Sequence, residues 1–571
     1  MDVFFKIKNT VSKRIFTQLF FLILLLVLNS ILEVVGVGMI IPIYKIIVSF
    51  DTFSNNYLSN YDFLFFLLDY NKSELLIFIF SLFFILVLAK YLVYIFLYKY
   101  AFYLTADLKA KIISKIFKYY SQQPYIFFKN KSSSVIVRDL LKEVAEFCDR
   151  FVFSCINFLL EIFVLLSVGI FFIFLESKLV LFFLIYSLIS SIIFFSTIRK
   201  KIDKAGIIRS EIDEKKYSIL QNFIKNIRSI KTRNKEEFFY EEFKKYIYRF
   251  EKTFAKFNFI QVLSKPFLEL VGISFIILWT IIQLRSGSII ADLFLSLSLL
   301  ALICIRVLPS INKIIFSLGQ MKFSLPSRKI VYEELSKIDN EGIKLDKKEL
   351  IKFNNSLELI NISFNYNENE NIIIDLNLKI KKGEKICLLG KSGTGKTTLV
   401  EIISGLLRQN KGKITLDRVK DFAFNKNILD IMYVPQDLLL IDGSIAQNIS
   451  FSNDKIDYEK LNRAIKLADL EDYVNKLRDK ENSLVGELGN KLSGGQKQRI
   501  GLARCFYDNP DFIILDEALN AIDEKTRTKI LENIFSFFSK KTMIFITHDI
   551  KFSNYFDKRL HLNNGKLNSL D

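Results

Sequence analysis

Long apolar runs separated by polar stretches dominate the first 318 residues of the chain. Six runs reach the roughly 20 residues that a membrane-spanning helix needs, and they cover 16–48, 74–104, 150–175, 178–198, 257–284 and 289–318. The first run is longer than the apolar part of a signal peptide and lacks a small-residue cleavage site. The pattern therefore predicts an α-helical membrane domain with six spans.

The polar segments between the runs predict the orientation of the chain. The N-terminus carries Lys6, Lys8, Lys13 and Arg14, and residues 199–256 are dense in Lys and Arg, whereas residues 49–72 lean acidic. Basic segments stay on the cytoplasmic side, so the N-terminus and everything after 318 are expected there. The connections 105–149 and 199–256 are too long for simple loops, which predicts helices that continue beyond the membrane.

After residue 356 the pattern changes to short apolar strands that alternate with helices. KICLLG (385–390) is followed by GKSGTGKTT and then by the helical pattern LVEIISGLL. This is a strand, a phosphate-binding loop and a helix, in which glycines let backbone N–H groups turn toward phosphates. The predicted nucleotide-binding residues are Gly390, Lys391, Ser392, Gly393, Thr394, Gly395, Lys396, Thr397 and Thr398. Lys396 is expected to reach the β/γ-phosphates of ATP, and the Thr397 hydroxyl to bind Mg²⁺.

A second apolar strand, FIILDE (512–517), ends in two acids. Asp516, at the end of a strand beside the phosphate loop, is expected to bind Mg²⁺ through water. Glu517 is then available to polarise the attacking water in ATP hydrolysis. The alternative is an ordinary strand end with two solvated carboxylates.

Composition and charge narrow the class of protein. Half of the chain is hydrophobic (51%), and the formal charge is +19. Because much of the basic excess flanks the apolar runs, it indicates an anionic membrane surface rather than nucleic acid. The five cysteines are scattered, without the spacing of a zinc site or a disulfide framework.

The stretch KLSGGQKQRIGLAR (491–504) lies between the phosphate loop and FIILDE. LSGGQ at this position resembles the signature of the ATP-binding cassette family. The resemblance covers essentially the whole chain, because six spans followed by one cassette is the layout of the exporter-type half-transporters. It implies a transmembrane domain at 1–318, a charged connector at 319–355 and an α/β P-loop nucleotide-binding domain at 356–571.

Further site residues follow from this resemblance. Tyr366 resembles the aromatic that stacks on adenine, although a core aromatic is the alternative and Phe364 is two residues away. Gln436 resembles the glutamine that touches Mg²⁺ and the transmembrane domain, and His548 resembles the histidine that contacts the γ-phosphate. The chain departs from the family where DEATSALD is common, because it reads DEALNAID (516–523), with Leu519 and Asn520 in place of Thr and Ser.

The resemblance also implies a second subunit. In the family, the signature closes on the nucleotide of another subunit, here with Ser493, Gly494, Gly495 and Gln496. One cassette and six spans per chain therefore predict a symmetric homodimer, and a heterodimer with a similar chain stays open. The expected activity is an ATP-hydrolysing exporter or flippase in the bacterial cytoplasmic (inner) membrane. A membrane-anchored regulator gated by the cassette is the alternative.

The substrate prediction rests on two short stretches. ILEVVGVGMIIPIYKII in the first span and CIRVLPSINKII in the sixth resemble the lipid-linked oligosaccharide flippase of bacterial protein N-glycosylation. Exporters of lipids, peptides or polysaccharide precursors stay open. Arg306 lies inside the sixth apolar run, beside Pro309, which is expected to break the helix. We expect Arg306 to attract an anionic group such as a lipid pyrophosphate. The alternatives are a pair with an acid such as Glu269 and a position below the bilayer, on the cytoplasmic extension of the helix.

Overall fold

The computed structural model describes most of the chain, namely residues 14–39, 43, 46, 71–174, 178–286, 290–341, 349–351, 353–366, 371–417, 427–452, 455–547 and 555–570. Two compact units are present. The first consists of Met1–Gln123 and Phe128–Lys344, and the second of Pro124–Phe127 and Leu345–Asp571. The fold confirms the predicted class, helical membrane domain followed by α/β cassette. The predicted domain boundaries at 318 and 355 stay predictions.

The first unit is helical throughout its described part. Two π-helical turns, Arg138–Glu143 and Phe147–Val152, lie within the long helical stretch Ser133–Phe171. The α-helices from the N-terminus to the end of the unit are Arg14–Gly38, Lys72–Ser121, Tyr125–Asn130, Ser133–Val137, Val144–Glu146, Phe153–Phe174, Lys178–Lys225, Ile227–Thr232, Glu236–Val262, Ser264–Arg285, Ile290–Phe323 and Leu325–Glu341.

Five helical stretches in the described part of the chain are long and apolar enough to cross a membrane: Thr17–Gly36, Lys72–Ser121, Ser133–Phe171, Leu179–Lys225 and Glu236–Arg285. They coincide with the first five predicted spans. The sixth predicted run, 289–318, lies on helix Ile290–Phe323, and several side chains of this helix fall outside the described residues.

The helices extend well beyond the predicted spans, as the long polar connections suggested. Lys72–Ser121 has 50 residues and Lys178–Lys225 has 48, whereas about 20 suffice to cross a bilayer. Within the predicted connector, residues 325–341 are also helical. The polar stretches that follow the second and fourth runs are therefore largely continuations of membrane helices.

Close helix contacts in this unit rest on small residues and stacked rings. A Cβ on Gly206 would lie 2.3 Å from the backbone oxygen of Phe323, so only glycine permits this approach. The rings of Phe257 and Phe323 stack with centroids 4.0 Å apart, and both side chains are fully buried. Three long helices thus converge at one point.

Several charged groups inside the first unit form ion pairs. The Glu33 carboxylate contacts Arg306 and lies 2.8 Å from Lys90 Nζ. Glu161 lies 2.7 Å from Lys313 Nζ. The structure thus gives Arg306 an acid partner from the first helix, and not Glu269.

Pro309 does not break the helix as the sequence suggested. It lies inside the continuous helix Ile290–Phe323, and membrane helices in general tolerate a proline.

The second unit contains a mixed six-stranded sheet in the order β11-β10-β4-β9-β8-β7, an antiparallel sheet β3-β2-β5 and the short parallel pair β1-β6. In the large sheet only β11 is antiparallel to its neighbour. The strands are β1 Glu349–Ile351, β2 Ser356–Asn365, β3 Asn371–Lys381, β4 Lys385–Leu389, β5 Lys411–Leu416, β6 Asn427–Leu429, β7 Ile431–Val434, β8 Phe512–Asp516, β9 Thr542–Ile546, β10 Lys558–Asn563 and β11 Lys566–Ser569.

The central strands of the large sheet are buried along their whole length. All five residues of β8 and of β9 are buried, the continuous apolar pattern of a parallel strand covered on both faces. The α-helices of the unit are Lys396–Ile403, Ile445–Ser450, Tyr458–Leu467, Glu471–Asn475, Gly494–Asp508 and Glu524–Phe537. Because β4 and β8 both pair with β9 in parallel, the segments that follow them meet at the same edge of the sheet.

Candidate nucleotide site

The phosphate-binding loop connects β4 to helix Lys396–Ile403, as predicted. Gly395 is the N-cap of that helix and has φ +98°, in the left-handed region that favours glycine. A Cβ there would also lie 2.9 Å from Ile372 Cγ2. The loop residues Lys391, Ser392 and Gly393 are exposed. The loop thus places backbone N–H groups and a helix N-terminus at the surface of the site.

Lys396 folds back over this loop. Its Nζ donates hydrogen bonds to the carbonyl oxygens of Gly390 at 2.7 Å and Lys391 at 2.9 Å. Burial lowers the pKa of Lys396, while the nearby carboxylates Glu517 and Asp516 act in the opposite direction. The ammonium group therefore lies near both the loop and the two acids, where it can bind a negatively charged phosphate.

Asp516 is buried at the end of β8 and is 4% exposed. Its Oδ2 accepts hydrogen bonds from Tyr433 Oη at 3.0 Å and from Thr397 Oγ1 at 3.3 Å. Burial raises the pKa of Asp516 and the hydrogen bonds from Tyr433 and Thr397 lower it. The sequence predicted the meeting of Asp516 with Thr397, but it gave no sign of Tyr433.

The oxygen donors at this point are of the kind that Mg²⁺ prefers. Thr397 and Asp516 meet here and supply a hydroxyl and a carboxylate. Gln436, whose amide donates to the adjacent residue Glu517, offers an amide oxygen. All three are hard ligands. Among the described residues no group of three or more His, Cys, Asp or Glu side chains forms a metal site. The donor set therefore fits an ion bound by few protein ligands and completed by phosphate oxygens and water.

Glu517 follows Asp516 in a tight turn with φ +50°. Its Oε2 accepts a hydrogen bond from Gln436 Nε2 at 2.8 Å and another from Asn520 Nδ2 at 2.8 Å. The structure thus brings together two residues that the sequence singled out, Glu517 and Gln436. Asn520, noted in the sequence only as a departure from the family pattern, proves to be the second partner of the same carboxylate.

Tyr366 directly follows β2 and is 41% exposed. Its hydroxyl lies 3.4 Å from Thr398 Oγ1 and donates to Glu401 Oε2 at 3.3 Å. Its ring packs edge-on against Phe364 with centroids 5.0 Å apart. Phe364 is the buried core aromatic, which leaves Tyr366 as the accessible ring beside the phosphate loop.

The signature residues form a helix N-terminus. Ser493 is the N-cap of helix Gly494–Asp508, its Oγ accepts from the Gln496 N–H at 3.2 Å, and Gln496 Oε1 accepts from the Ser493 N–H at 2.8 Å. This is a capping box. Ser493 and Gly494 are exposed, and Gly495 and Gln496 are half-buried. The N-terminus of this helix is therefore accessible at the surface of the second unit.

The remaining predicted site residues are His548 and Arg306. His548 lies outside the described residues. Arg306 belongs to the first unit, where its side chain is one-third exposed at 32% and its buried Nε has no hydrogen-bond partner among the described residues. The structure places it in an ion cluster with Glu33 and Lys90.

Comparison with known proteins agrees with this architecture. Residues 19–306 match the ABC transporter transmembrane region, and residues 373–520 match the ABC transporter family. A solved bacterial Atm1-family ABC exporter with ATP bound shares the fold, with a TM-score of 0.78 and 19% identity over 98% of this chain and 95% of that chain.

Curated relatives are similar over parts of the chain. The lactococcin-G-processing and transport ATP-binding protein LagD of Lactococcus lactis subsp. lactis is 27% identical over 465 residues, 79% of this chain and 64% of LagD. The alpha-hemolysin translocation ATP-binding protein HlyB of Escherichia coli is 34% identical over 224 residues, 39% of this chain and 32% of HlyB. The chain thus spans less than two thirds of the length of these relatives. With a transmembrane region followed by an ATP-binding cassette, the chain belongs to the ABC transporter family.

Proposed function

We propose that this chain is an ATP-hydrolysing exporter that moves an amphipathic substrate from the inner to the outer face of a membrane. One observation carries the proposal. The phosphate loop after β4 and the acids Asp516 and Glu517 at the end of β8 converge at one edge of a sheet. The same chain carries helices long and apolar enough to cross a membrane.

The site residues have complementary tasks in this proposal. Lys396 and the loop N–H groups bind the phosphates of ATP, and Tyr366 offers its exposed ring to adenine. Thr397, Asp516 and Gln436 would hold Mg²⁺, which neutralises phosphate charge when bound. Glu517 orients and polarises the attacking water. His548, on the segment after β9, is proposed to contact the γ-phosphate.

The working unit is proposed to be a homodimer. The exposed N-terminus of helix Gly494–Asp508 carries a partial positive charge, and Ser493 there is free to meet a nucleotide held by a second copy of the chain. Both the phosphate loop and Glu517 are present in this chain, so a symmetric pair would contain two complete sites. The N-terminus and the cassette are proposed to lie in the cytoplasm, with the membrane being the bacterial inner membrane.

The narrower substrate proposal is a lipid-linked oligosaccharide. It rests on the sequence resemblance of the first and sixth spans and on the ion cluster around Arg306. One carboxylate, Glu33, faces two cations, Lys90 and Arg306, so the cluster has a formal surplus of one positive charge. A pyrophosphate linked to a lipid would compensate that surplus.

A peptide is the second candidate, because two relatives are described by export of a peptide or protein. LagD is named for lactococcin-G processing and transport, and HlyB for alpha-hemolysin translocation. A chain of similar architecture can therefore serve a peptide substrate.

The test uses the purified full chain in liposomes against a panel of lipid-linked sugars, phospholipids and peptides. We expect ATP hydrolysis that one class stimulates, together with movement of that class across the bilayer. Glu517→Gln is the matched control. It should bind ATP normally and hydrolyse it at least 100-fold more slowly, because the water loses its base while the phosphate loop is untouched. Hydrolysis by Glu517→Gln at the wild-type rate contradicts the role of Glu517, and ATPase activity without movement of any substrate indicates a regulator.

A further inference from the structure

The Glu517 carboxylate is held by two amides that come from different parts of the cassette. Gln436 follows β7, whereas Asn520 lies three residues after Glu517 itself, and each amide nitrogen is 2.8 Å from Oε2. Two amide donors on one carboxylate oxygen form charge-assisted hydrogen bonds that restrict the orientation of the side chain. Of the two donors, Asn520 is the nearer to Glu517 in sequence.

The backbone around Glu517 keeps Asn520 in register with it. The Asn520 N–H donates to the Glu517 carbonyl at 3.1 Å, and the Glu517 N–H donates to Ile546 O at 3.1 Å. Gln498, from the signature helix, accepts from the Ala521 N–H at 2.9 Å and donates to the Glu517 carbonyl at 3.4 Å. Glu517 and Asn520 therefore belong to one braced turn.

The two donors differ in what holds them. Gln436 is exposed and follows β7, the strand beside β8, and its side-chain amide reaches Glu517 from that neighbouring strand. Asn520 shares a hydrogen-bonded turn with Glu517, so its amide accompanies the carboxylate through any movement of that turn. A short side chain such as serine at 520 lacks the length of asparagine, and the amide supplies an N–H donor that an acid would not.

We propose that Asn520 is a positioning residue for ATP hydrolysis, which holds the Glu517 carboxylate in the orientation that faces the attacking water. This inference rests on the proposed role of Glu517 as the group that polarises water. A displacement of about 1 Å in a reacting group can cost as much as 100-fold in rate. We therefore expect the loss of the Asn520 amide to lower kcat by roughly tenfold, since Gln436 still binds the same oxygen.

The experiment compares Asn520→Ala, Asn520→Ser and Asn520→Asp in the full chain reconstituted in lipid nanodiscs. The measurements are kcat, KM for ATP, the Kd of a non-hydrolysable ATP analogue and the temperature of unfolding. We expect kcat to fall about tenfold in Asn520→Ala and Asn520→Ser, and further in Asn520→Asp, where two carboxylates repel. KM, Kd and unfolding temperature should stay within twofold or a few degrees of wild type.

Two controls make the result specific. Asn462 is exposed on helix Tyr458–Leu467, so Asn462→Asp makes the same chemical change away from the site and should leave kcat unchanged. In the double variant Glu517→Gln with Asn520→Ala, the residual rate should equal that of Glu517→Gln alone, because Asn520 acts through Glu517.

Several outcomes overturn the proposal. A wild-type kcat in Asn520→Ala does so, as does a fall in kcat that is matched by weaker analogue binding and a lower unfolding temperature. Additive losses in the double variant, or failure of all three variants to fold, assign Asn520 to the structure of the turn instead. Wild-type hydrolysis by Glu517→Gln is a separate result, because it refutes the role of Glu517 itself.

Discussion

The ion cluster of Glu33, Lys90 and Arg306 allows a quantitative prediction about the stability of the first unit. Glu33 is the only acid of the three, and its side chain is 4% exposed, against 19% for Lys90 and 32% for Arg306. Replacing Glu33 by Gln leaves two cations close together without a counter-charge. Replacing Arg306 by Met leaves Glu33 paired with Lys90 and removes the surplus charge.

The magnitude follows from the geometry. At 2.8 Å between Lys90 Nζ and Glu33 Oε1, and with an effective dielectric constant of about 20, the attraction is about 6 kcal/mol before desolvation. Breaking a buried pair by removing one partner costs about 3–5 kcal/mol. We therefore expect Glu33→Gln to destabilise the protein by about 3–5 kcal/mol, and Arg306→Met by less than half of that.

The assay is thermal unfolding in nanodiscs, followed with a dye that reacts with exposed thiols. All variants are made in a background in which Cys155, Cys304, Cys387 and Cys505 are replaced by alanine, so that Cys148, buried in the first unit, reports the unfolding of that unit. The triple variant Glu33→Gln, Lys90→Met and Arg306→Met removes all three charges and should recover most of the stability lost in Glu33→Gln. The reasoning is refuted if Arg306→Met is the more damaging single change, or if Glu33→Gln unfolds like the wild type.

The same variants separate structure from substrate binding. If Arg306 attracts an anionic substrate, Arg306→Met should fold, keep its basal ATPase activity and lose stimulation by a lipid pyrophosphate. Stimulation and transport at the wild-type level in folded Arg306→Met would assign the arginine to structure alone.

Two further predictions concern the nucleotide site. Lys396→Ala and Ser493→Arg should each abolish hydrolysis alone. A mixture of the two chains should regain activity, because a mixed dimer contains one intact composite site. If differential tagging shows that heterodimers form and they are still inactive, the site is not built from two chains. Tyr366→Ala should weaken ATP binding by roughly 5- to 150-fold, corresponding to the about 1–3 kcal/mol of a base stacked on an aromatic ring. Tyr366→Phe should weaken ATP binding far less. Binding of inorganic tripolyphosphate, which has no base, should not change in either variant. Equal ATP affinities of the wild type and both variants in a fluorescence titration would refute adenine stacking.

Local composition was enough to predict the membrane helices and the phosphate loop. A spanning helix needs about 20 apolar residues in succession, and this requirement is met within one stretch of sequence. The phosphate loop is likewise contiguous, because Gly395, Lys396 and Thr397 perform their tasks within a few residues of one another. The strand ending in Asp516 and Glu517 could also be predicted, since a buried parallel strand is a continuous apolar run.

Contacts between distant segments could not be predicted in the same way. The sequence suggested Glu269 as the acid for Arg306, yet the partner is Glu33, which lies in the first helix. Which charges meet depends on the rotation and packing of whole helices, and no local pattern encodes these. Pro309 is a similar case, because the sequence shows the missing N–H, whereas only the structure shows that the helix continues through this residue.

The surroundings of Glu517 show where the boundary lies. The order of residues alone shows that an acid follows Asp516 and that an asparagine stands three residues after that acid. Folding brings Asn520 and Gln436 to the same carboxylate oxygen, because β7 lies beside β8 and the turn at Glu517 has a positive φ. Hydrogen bonds require donor–acceptor distances within a few tenths of an ångström and nearly linear angles, and local sequence does not specify such geometry between distant segments.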